Sequence, residues 1–300
     1  MTDDRSARAN FAHYRDLLES YGFRPSRRLG QNFLLDPTLH RAIVEDAGVR
    51  PGDVVLEVGP GLGFLTRELA AAGADVLAVE IDSRLFEILE DERDSWGEAG
   101  KRVELLHASA LAGSGWNPVV VEALAARAAG RPVRLVANLP YAAAGPLLAT
   151  AGTLTTPPVS GAVMVQLDLA QRLIAGPGTP EYGAPTVMFS LTYQAKIVRR
   201  VGSDVFWPKP KVGSAVLGFE ARLDTPFAAM VPSERAAFAG FVRALFGQRR
   251  KRLSNTLPAA LEAVGRGIPP DLPSDWMGLR PGVLERDQFL RMWSGAPRLP

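Results

Sequence analysis

Between Val54 and Val165 the sequence alternates apolar runs of strand length with helical stretches, and no other feature limits the fold as tightly. Strand-like runs at Val54–Val58, Val76–Ile81, Val103–His107, Val133–Ala137 and Val163–Val165 are interleaved with helical stretches such as Leu65–Ala72 and Leu85–Glu90. That order predicts an α/β fold, a doubly wound and mostly parallel sheet with helices on both faces. Two more runs, Gln194–Val198 and Ser214–Phe219, flank the proline-rich loop Phe206–Lys211. They suit an antiparallel hairpin at the sheet edge and bring the sheet to seven strands. After Thr225 the text becomes helical, at Glu234–Phe246 and Lys251–Val264, before a proline-rich tail. The expected organisation is an N-terminal extension over 1–22 with a short helix around Asp16–Ser20, a main domain over 23–225, and a smaller helical domain over 226–300.

Composition narrows the chemistry. With 300 residues, 47% hydrophobic and 22% charged, the chain has ample material for a folded core and a second domain. It has no cysteine and only His13, His40 and His107, which excludes disulfides, thiol nucleophiles and cysteine-held metals and argues against a metal site. An organic cofactor is expected instead. No apolar run approaches the ~20 residues of a membrane span, and the start does not read as a signal peptide, so a cytoplasmic protein is expected. A net charge of +2 means that a nucleic-acid partner must be argued from local clusters.

The first strand runs into Glu57-Val58-Gly59-Pro60-Gly61-Leu62-Gly63, with a helical stretch directly behind it. Glycines at such a turn let the backbone pass close to a ligand at a helix N-terminus. A nicotinamide or flavin fingerprint requires glycine at the third position after Gly61, where this chain has Phe64. The spacing resembles that of class I S-adenosylmethionine methyltransferases, which makes Gly59, Gly61 and Gly63 candidate cofactor contacts; a tight structural turn is the plainer reading. Glu80, at the end of the second strand, offers two oxygens to the vicinal hydroxyls of a ribose, with Asp82 as the cap of the next helix. After the third strand Ser109 is either a neutral acceptor for the cofactor's adenine amine or a turn serine. His107 reads as a satisfied or exposed residue.

The fourth strand delivers Asn138-Leu139-Pro140-Tyr141. An exocyclic adenine amine is a poor nucleophile because its lone pair is delocalised into the ring. Hydrogen bonds from its N–H groups to the Asn138 side-chain oxygen and the Leu139 carbonyl would draw it toward tetrahedral geometry and aim the lone pair at a methyl carbon. Pro140 donates no N–H where acceptors must converge, and Tyr141 offers a π-face to a flipped-out base. Taken alone, the motif is equally an ordinary turn beside a core tyrosine.

Together these motifs resemble the small-subunit (16S) ribosomal RNA adenine N6,N6-dimethyltransferase family over roughly Phe23 to Leu257. The resemblance is carried by Leu29 to Leu34, Glu57 to Gly63, Glu80, Asn138 to Tyr141, Pro177 to Gly183, Phe206 to Val216 and Phe246 to Asn255. It implies S-adenosyl-L-methionine as methyl donor, with Gln31, Asn32 and Leu34 among its contacts, and Phe206 closing the target-base pocket opposite Tyr141. It also implies a monomer acting on two adjacent adenines in the 3'-terminal hairpin of small-subunit rRNA in the immature 30S particle, each methylated twice. The chain departs from the family in three places: Ser109 stands where an acid is usual, Asp168 replaces the glutamate of the Gln166-to-Arg172 segment, and Gly213 replaces a commoner acid. None touches Asn138 to Tyr141.

Arg249-Arg250-Lys251-Arg252 is the densest basic run, with Arg243 ahead of it, Arg199 and Arg200 at a strand end, and Lys209 and Lys211 in the proline loop. Such clusters neutralise phosphates, and binding through them weakens steeply with salt; singly, each is as readily a solvated cation. The alternatives are a large-subunit rRNA adenine methyltransferase of the macrolide-resistance type, and a non-enzymatic ribosome-assembly factor hinted at only by Ser109. Gly30 and the basic run before Asn255 favour the small-subunit family.

Overall fold

The computed structural model describes residues 18–26, 29–113, 115–223 and 225–299. Residues 1–17, with the start of the helix expected around Asp16, lie outside them. The chain falls into two compact units: one contains the residues up to Leu147, Thr156–Ala170 and Lys196–Glu220, the other Leu148–Thr155, Gln171–Ala195 and the residues from Ala221 onward. A single cut near residue 225 accounts only for the last of those segments.

The strands are β1 (Phe33–Leu34), β2 (Val54–Val58), β3 (Asp75–Glu80), β4 (Val103–His107), β5 (Leu111–Ala112), β6 (Gly115–Trp116), β7 (Val133–Asn138), β8 (Ser160–Gln166), β9 (Tyr193–Val201), β10 (Phe206–Trp207) and β11 (Ser214–Ala221). Seven of them form the central sheet in the order β4-β3-β2-β7-β8-β11-β9. Pairings β3–β4, β2–β3, β2–β7 and β7–β8 are parallel, and β8–β11 is antiparallel. The two late strands do lie at one edge, with β9 outermost and β11 against β8. Along the chain the sheet grows from β2 to one side and then restarts at β7 on the other. Ligands bind such sheets beyond the carboxyl ends of the strands at this reversal, here the ends of β2 and β7.

Local chemistry explains the elements. All five residues of β2 are buried, as expected for a parallel strand covered on both faces. Asp36, Asp82 and Asn117 each accept hydrogen bonds from first-turn N–H groups of the helices Pro37–Asp46, Ser83–Asp94 and Pro118–Ala128, and Pro37 and Pro118 sit at first helical positions, where no N–H is needed. One sheet face is cored by Leu34, Ile43, Val55, Leu69, Val136, Met164, Phe206 and Val216.

The second unit is helical, with Ala184–Thr192, Pro232–Gly247, Leu253–Glu262 and Arg286–Ser294 packed around Phe238, Phe241, Leu257, Phe289 and Trp293. Glu234 accepts from Arg266 (2.9 Å) and from the Trp293 indole (3.2 Å), and the Arg266 guanidinium lies 3.9 Å from the Trp293 ring centroid. The Pro177 to Gly183 segment is fixed in this unit: Gly178 N donates to Gly282 O, and the Tyr182 hydroxyl donates to Leu284 O, both at 2.8 Å.

Gly63 tests the packing behind the glycine loop. Its φ is +77°, and a Cβ there would fall 2.3 Å from Leu89 Cδ1 and 2.8 Å from Trp96 Cη2. Gly63→Ala is expected to lower the free energy of unfolding by about 1–3 kcal/mol through overpacking and backbone strain, read by urea denaturation.

Candidate functional site

At the sheet reversal, the loop after β2 carries Gly59, Gly61 and Gly63 with φ of 73°, 58° and 77°. These are left-handed conformations that side-chain-bearing residues rarely adopt. A Cβ on Gly59 would lie 2.8 Å from Pro140 Cγ, and one on Gly61 would lie 3.1 Å from the Phe33 ring. The loop is therefore pressed against the acceptor motif on one side and β1 on the other. A cleft opens here, lined by Gln31, Asn32, Leu34, Gly59, Gly61, Glu80 and the whole of Asn138-Leu139-Pro140-Tyr141. Segments far apart in sequence converge on it.

Glu80 is 4% exposed. Its Oε1 accepts from Ile81 N and Asp82 N at 2.9 Å each, and its Oε2 from Gly61 N at 3.1 Å. A carboxylate has about four lone-pair sites, so three N–H bonds leave it able to accept from a ligand hydroxyl. Burial raises its pKa, while the three N–H groups act in the opposite direction. Asp82 caps the next helix through Arg84 N and Leu85 N.

At the acceptor motif, Asn138 Nδ2 donates to the Asn32 carbonyl at 3.1 Å. That bond orients the amide, and Oδ1, with no partner among the described residues, is free to accept from a substrate. Leu139 N donates to Met164 O at 3.1 Å, which fixes the turn that carries the Leu139 carbonyl. The Tyr141 and Ser214 hydroxyls share a hydrogen bond at 2.6 Å. Burial pushes the Tyr141 pKa up and Ser214 opposes it, so the phenol stays neutral.

Four candidates have other surroundings than the sequence suggests, the first being Gly63, which does not line the cleft and faces Leu89 and Trp96. Phe206 is 1% exposed in the core with Leu34, Val136 and Met164 and lines neither the cleft nor the groove beside it. The cause is the antiparallel pairing of β10 with β1, which sets Phe206 opposite Leu34. The groove next to Tyr141 is walled instead by Pro208 to Val212, with Asn32 and Gln166. Ser109 does not line the cleft; its hydroxyl donates to Leu111 O at 2.7 Å in a local turn. Gln31 lines the cleft, but its amide is spent on structure, accepting from Ser26 N at 2.7 Å and donating to Asp82 at 3.0 Å.

Two further residues line the cleft: His40, which had no clear signal in the sequence, and Glu57, which opens the glycine motif but was assigned no role. His40 is neutral, because burial lowers its pKa to about 4. Glu57 is 1% exposed, and its Oε2 and the nearby Thr66 hydroxyl have no hydrogen-bond partner among the described residues. Burial pushes its pKa up to about 8, opposed by the Thr66 hydroxyl and reinforced by Glu80. Among the described residues no group of three or more His, Cys, Asp or Glu could hold a metal ion, and no helix is long and apolar enough to cross a membrane.

The basic residues are divided between the units. In the first, Lys209 pairs with Asp204, Lys211 is exposed, and Arg199 bonds to Asp46 at 3.0 Å. In the second, Arg243, Arg250, Lys251 and Arg252 are exposed, whereas the Arg249 guanidinium donates twice to Pro180 O, at 3.2 and 3.3 Å.

A model of the family described as ribosomal RNA adenine dimethylase matches residues 22–265. The chain belongs to this family. It is 42% identical over 265 residues to the ribosomal RNA small subunit methyltransferase A of Leifsonia xyli, covering 85% of this chain and 89% of that one. It is 40% identical over 278 residues to the protein of the same name from Deinococcus radiodurans, covering 92% and 86%. Among solved structures, a dimethyladenosine transferase from Plasmodium falciparum shares the fold with a TM-score of 0.63 at 22% identity, over 86% of this chain and 94% of that one. The 23S rRNA methyltransferase ErmE is similar with a TM-score of 0.56 at 25% identity, over 88% and 98%. Membership implies an enzyme that methylates rRNA adenines with a methyl donor of the S-adenosylmethionine type. The glycine loop, closely packed on Pro140 and Phe33 where a Cβ at Gly59 or Gly61 would press, and the buried Glu80 beside it suit a nucleoside-bearing donor of that kind.

Glu57 gives this region a measurable pH signature. Its pKa is about 8 in the folded chain against 4.5 for the free group. The stability it contributes is complete below about pH 4.5 and is lost as pH rises through about 8, because ionisation then favours the unfolded chain. Glu57→Gln removes this dependence. Its unfolding free energy relative to wild type should rise steadily from about pH 5 to about pH 8 in urea titrations.

Proposed function

We propose that this chain transfers methyl groups from S-adenosyl-L-methionine to the N6 amines of two adjacent adenines in the 3'-terminal hairpin of small-subunit rRNA, within the immature 30S particle in the cytoplasm. The observation that carries the reading is the anchored amide of Asn138, whose nitrogen donates to Asn32 O while its Oδ1 has no partner among the described residues. When bound, the sulfonium donor supplies an electrophilic methyl carbon. Glu80 would accept from the ribose hydroxyls, and the Gly59 to Gly63 loop, Asn32 and Leu34 would surround the rest of the donor. Asn138 Oδ1 and the Leu139 carbonyl would take the two N–H groups of the amine and direct its lone pair toward the methyl carbon. Tyr141 would stack the base, and its neutral phenol adds no competing charge.

No general base is needed, because a methylated amine is cationic and loses its proton readily. The exposed cations Arg243, Arg250, Lys251 and Arg252, with Lys211, would track phosphates, while Arg249 and Lys209 carry internal partners as well. Identities of 40–42% to proteins named for the small subunit, against 25% to the 23S enzyme, favour the small-subunit substrate. A monomer suffices for this chemistry.

The deciding experiment supplies labelled S-adenosylmethionine and small subunits lacking adenine dimethylation, with the product mapped by mass spectrometry. Dimethyladenine in the terminal hairpin is expected. Asn138→Ala should slow transfer at least ~100-fold, the scale of losing one preorganised polar group at a reacting centre. No transfer, or transfer to large-subunit RNA alone, would overturn the reading. Replacing Arg250, Lys251 and Arg252 together by glutamine should flatten the slope of log affinity against log salt by about 2–3, roughly one for each phosphate no longer neutralised.

A further inference from the structure

Four side-chain amides line the cleft and the adjoining groove: Gln31, Asn32, Asn138 and Gln166. Three are tied down. Gln31 is bonded at both ends to Ser26 and Asp82, Asn32 donates to Gly30 O, and Asn138 donates to Asn32 O. The Gln166 side chain has neither end bonded to a described residue. Gln166 is half-buried, and an amide with both ends open at the edge of a substrate groove is free to take a partner that arrives with the substrate.

Its position is fixed by the sheet. Gln166 ends β8, with its Cα opposite that of Ser214 in β11, the residue whose hydroxyl holds the Tyr141 hydroxyl. Two residues earlier, Met164 pairs in register with Asn138 and accepts from Leu139 N. Side chains alternate along a strand, so Gln166 shares its face with Met164, which packs with Leu34 and Phe206. It shares the lining of the groove with Tyr141, Asn32 and the proline loop.

The chemistry of the pocket lacks what Gln166 can supply. Asn138 Oδ1 and the Leu139 carbonyl are both acceptors and together consume the two N–H groups of an adenine amine. The ring nitrogens on either side of that amine, N1 and N7, are also acceptors and require a donor. Lys209 is paired with Asp204, and the Tyr141 hydroxyl already shares a bond with Ser214. Of the four amides, Gln166 is the one with no end bonded to a described residue, its Nε2 is a neutral donor, and amide side chains are well suited to the edge of adenine. We propose that Gln166 contacts the target base, its Nε2 donating to the ring nitrogen beside the amine and setting the rotation of the adenine in its own plane. This rests on the reading of the groove as the adenine pocket.

The test pairs a variant with an atom change in the base. Small subunits are reconstituted with a terminal hairpin carrying adenosine, 1-deazaadenosine or 7-deazaadenosine at the target position, and single-turnover transfer is measured for wild type and Gln166→Met. The variant should slow transfer to adenosine about tenfold, the scale of one hydrogen bond to a neutral group, with unchanged donor affinity and melting temperature. One of the two deaza bases should slow wild type by a similar factor and slow Gln166→Met no further. Losses that multiply for both analogues would overturn the proposal, since a merely structural glutamine cannot sense one ring atom. Should Gln166→Met melt early, Gln166→Glu, which retains the volume but has no N–H, takes its place. Wild type that fails on unmodified adenosine refutes the parent reading, whereas wild type that works without this coupling refutes only the role of Gln166.

Discussion

The site depends on the approach of Pro140 to Gly59. Because Gly59 has no side chain and a left-handed backbone, the ends of β2 and β7 can close to the point where a single methyl group would collide with the proline ring. That closeness brings a donor-binding loop and an acceptor motif, 81 positions apart in sequence, to opposite walls of one cleft. In-line group transfer needs this proximity more than it needs any acid or base. The sheet order supplies it, since β2 and β7 are neighbours only because the chain reverses its direction of growth between them.

Around that contact the polar groups are consistently allocated. Gln31 links the N-terminal loop to Asp82, which in turn caps a helix, and Asn138 is oriented by the backbone of Asn32. These bonds turn flexible amides into fixed ones, so that Asn138 is oriented before any substrate arrives. Glu57 is the exception, a buried carboxyl in an otherwise apolar strand with an unpaired oxygen. Its proton is held by burial, and the strand tolerates it only in the neutral form.

Much of this was legible in the sequence, and for identifiable reasons. β2 and β4 fall at the bounds the apolar runs suggest; β2 is buried along its whole length, as a parallel strand covered on both faces is, whereas β4 at the sheet edge buries Val103 and leaves Glu104 and His107 exposed. The glycine loop, Glu80 and Asn138 to Tyr141 were legible because each is a local pattern with a local purpose. The helix Tyr141–Thr150 was missed: it is almost wholly small and apolar, with Pro146 inside it, so it lacks the polar stripe that marks a surface helix. The surroundings of Phe206 and Ser109 were not legible either. They are set by the pairing of β10 with β1 and by a turn bond to Leu111, and neither contact leaves a mark in sequence spacing. His40 belongs with them, a lone histidine whose place against the cleft follows from the helix that carries it.

The make-up of the second unit has a consequence for how the chain is made. Its core joins Val187, Met188 and Leu191 to Phe289 and Trp293, and Tyr182 reaches Leu284 across 102 positions of sequence. On a ribosome, the early members of that core emerge long before the residues that cover them, and the strands β9 to β11 leave the exit tunnel in between. The core of the helical unit is therefore complete only once Phe289 and Trp293 have been made, a long-range closure of the kind that slows folding. Until then the early apolar helix Ala184–Thr192 lacks those late partners.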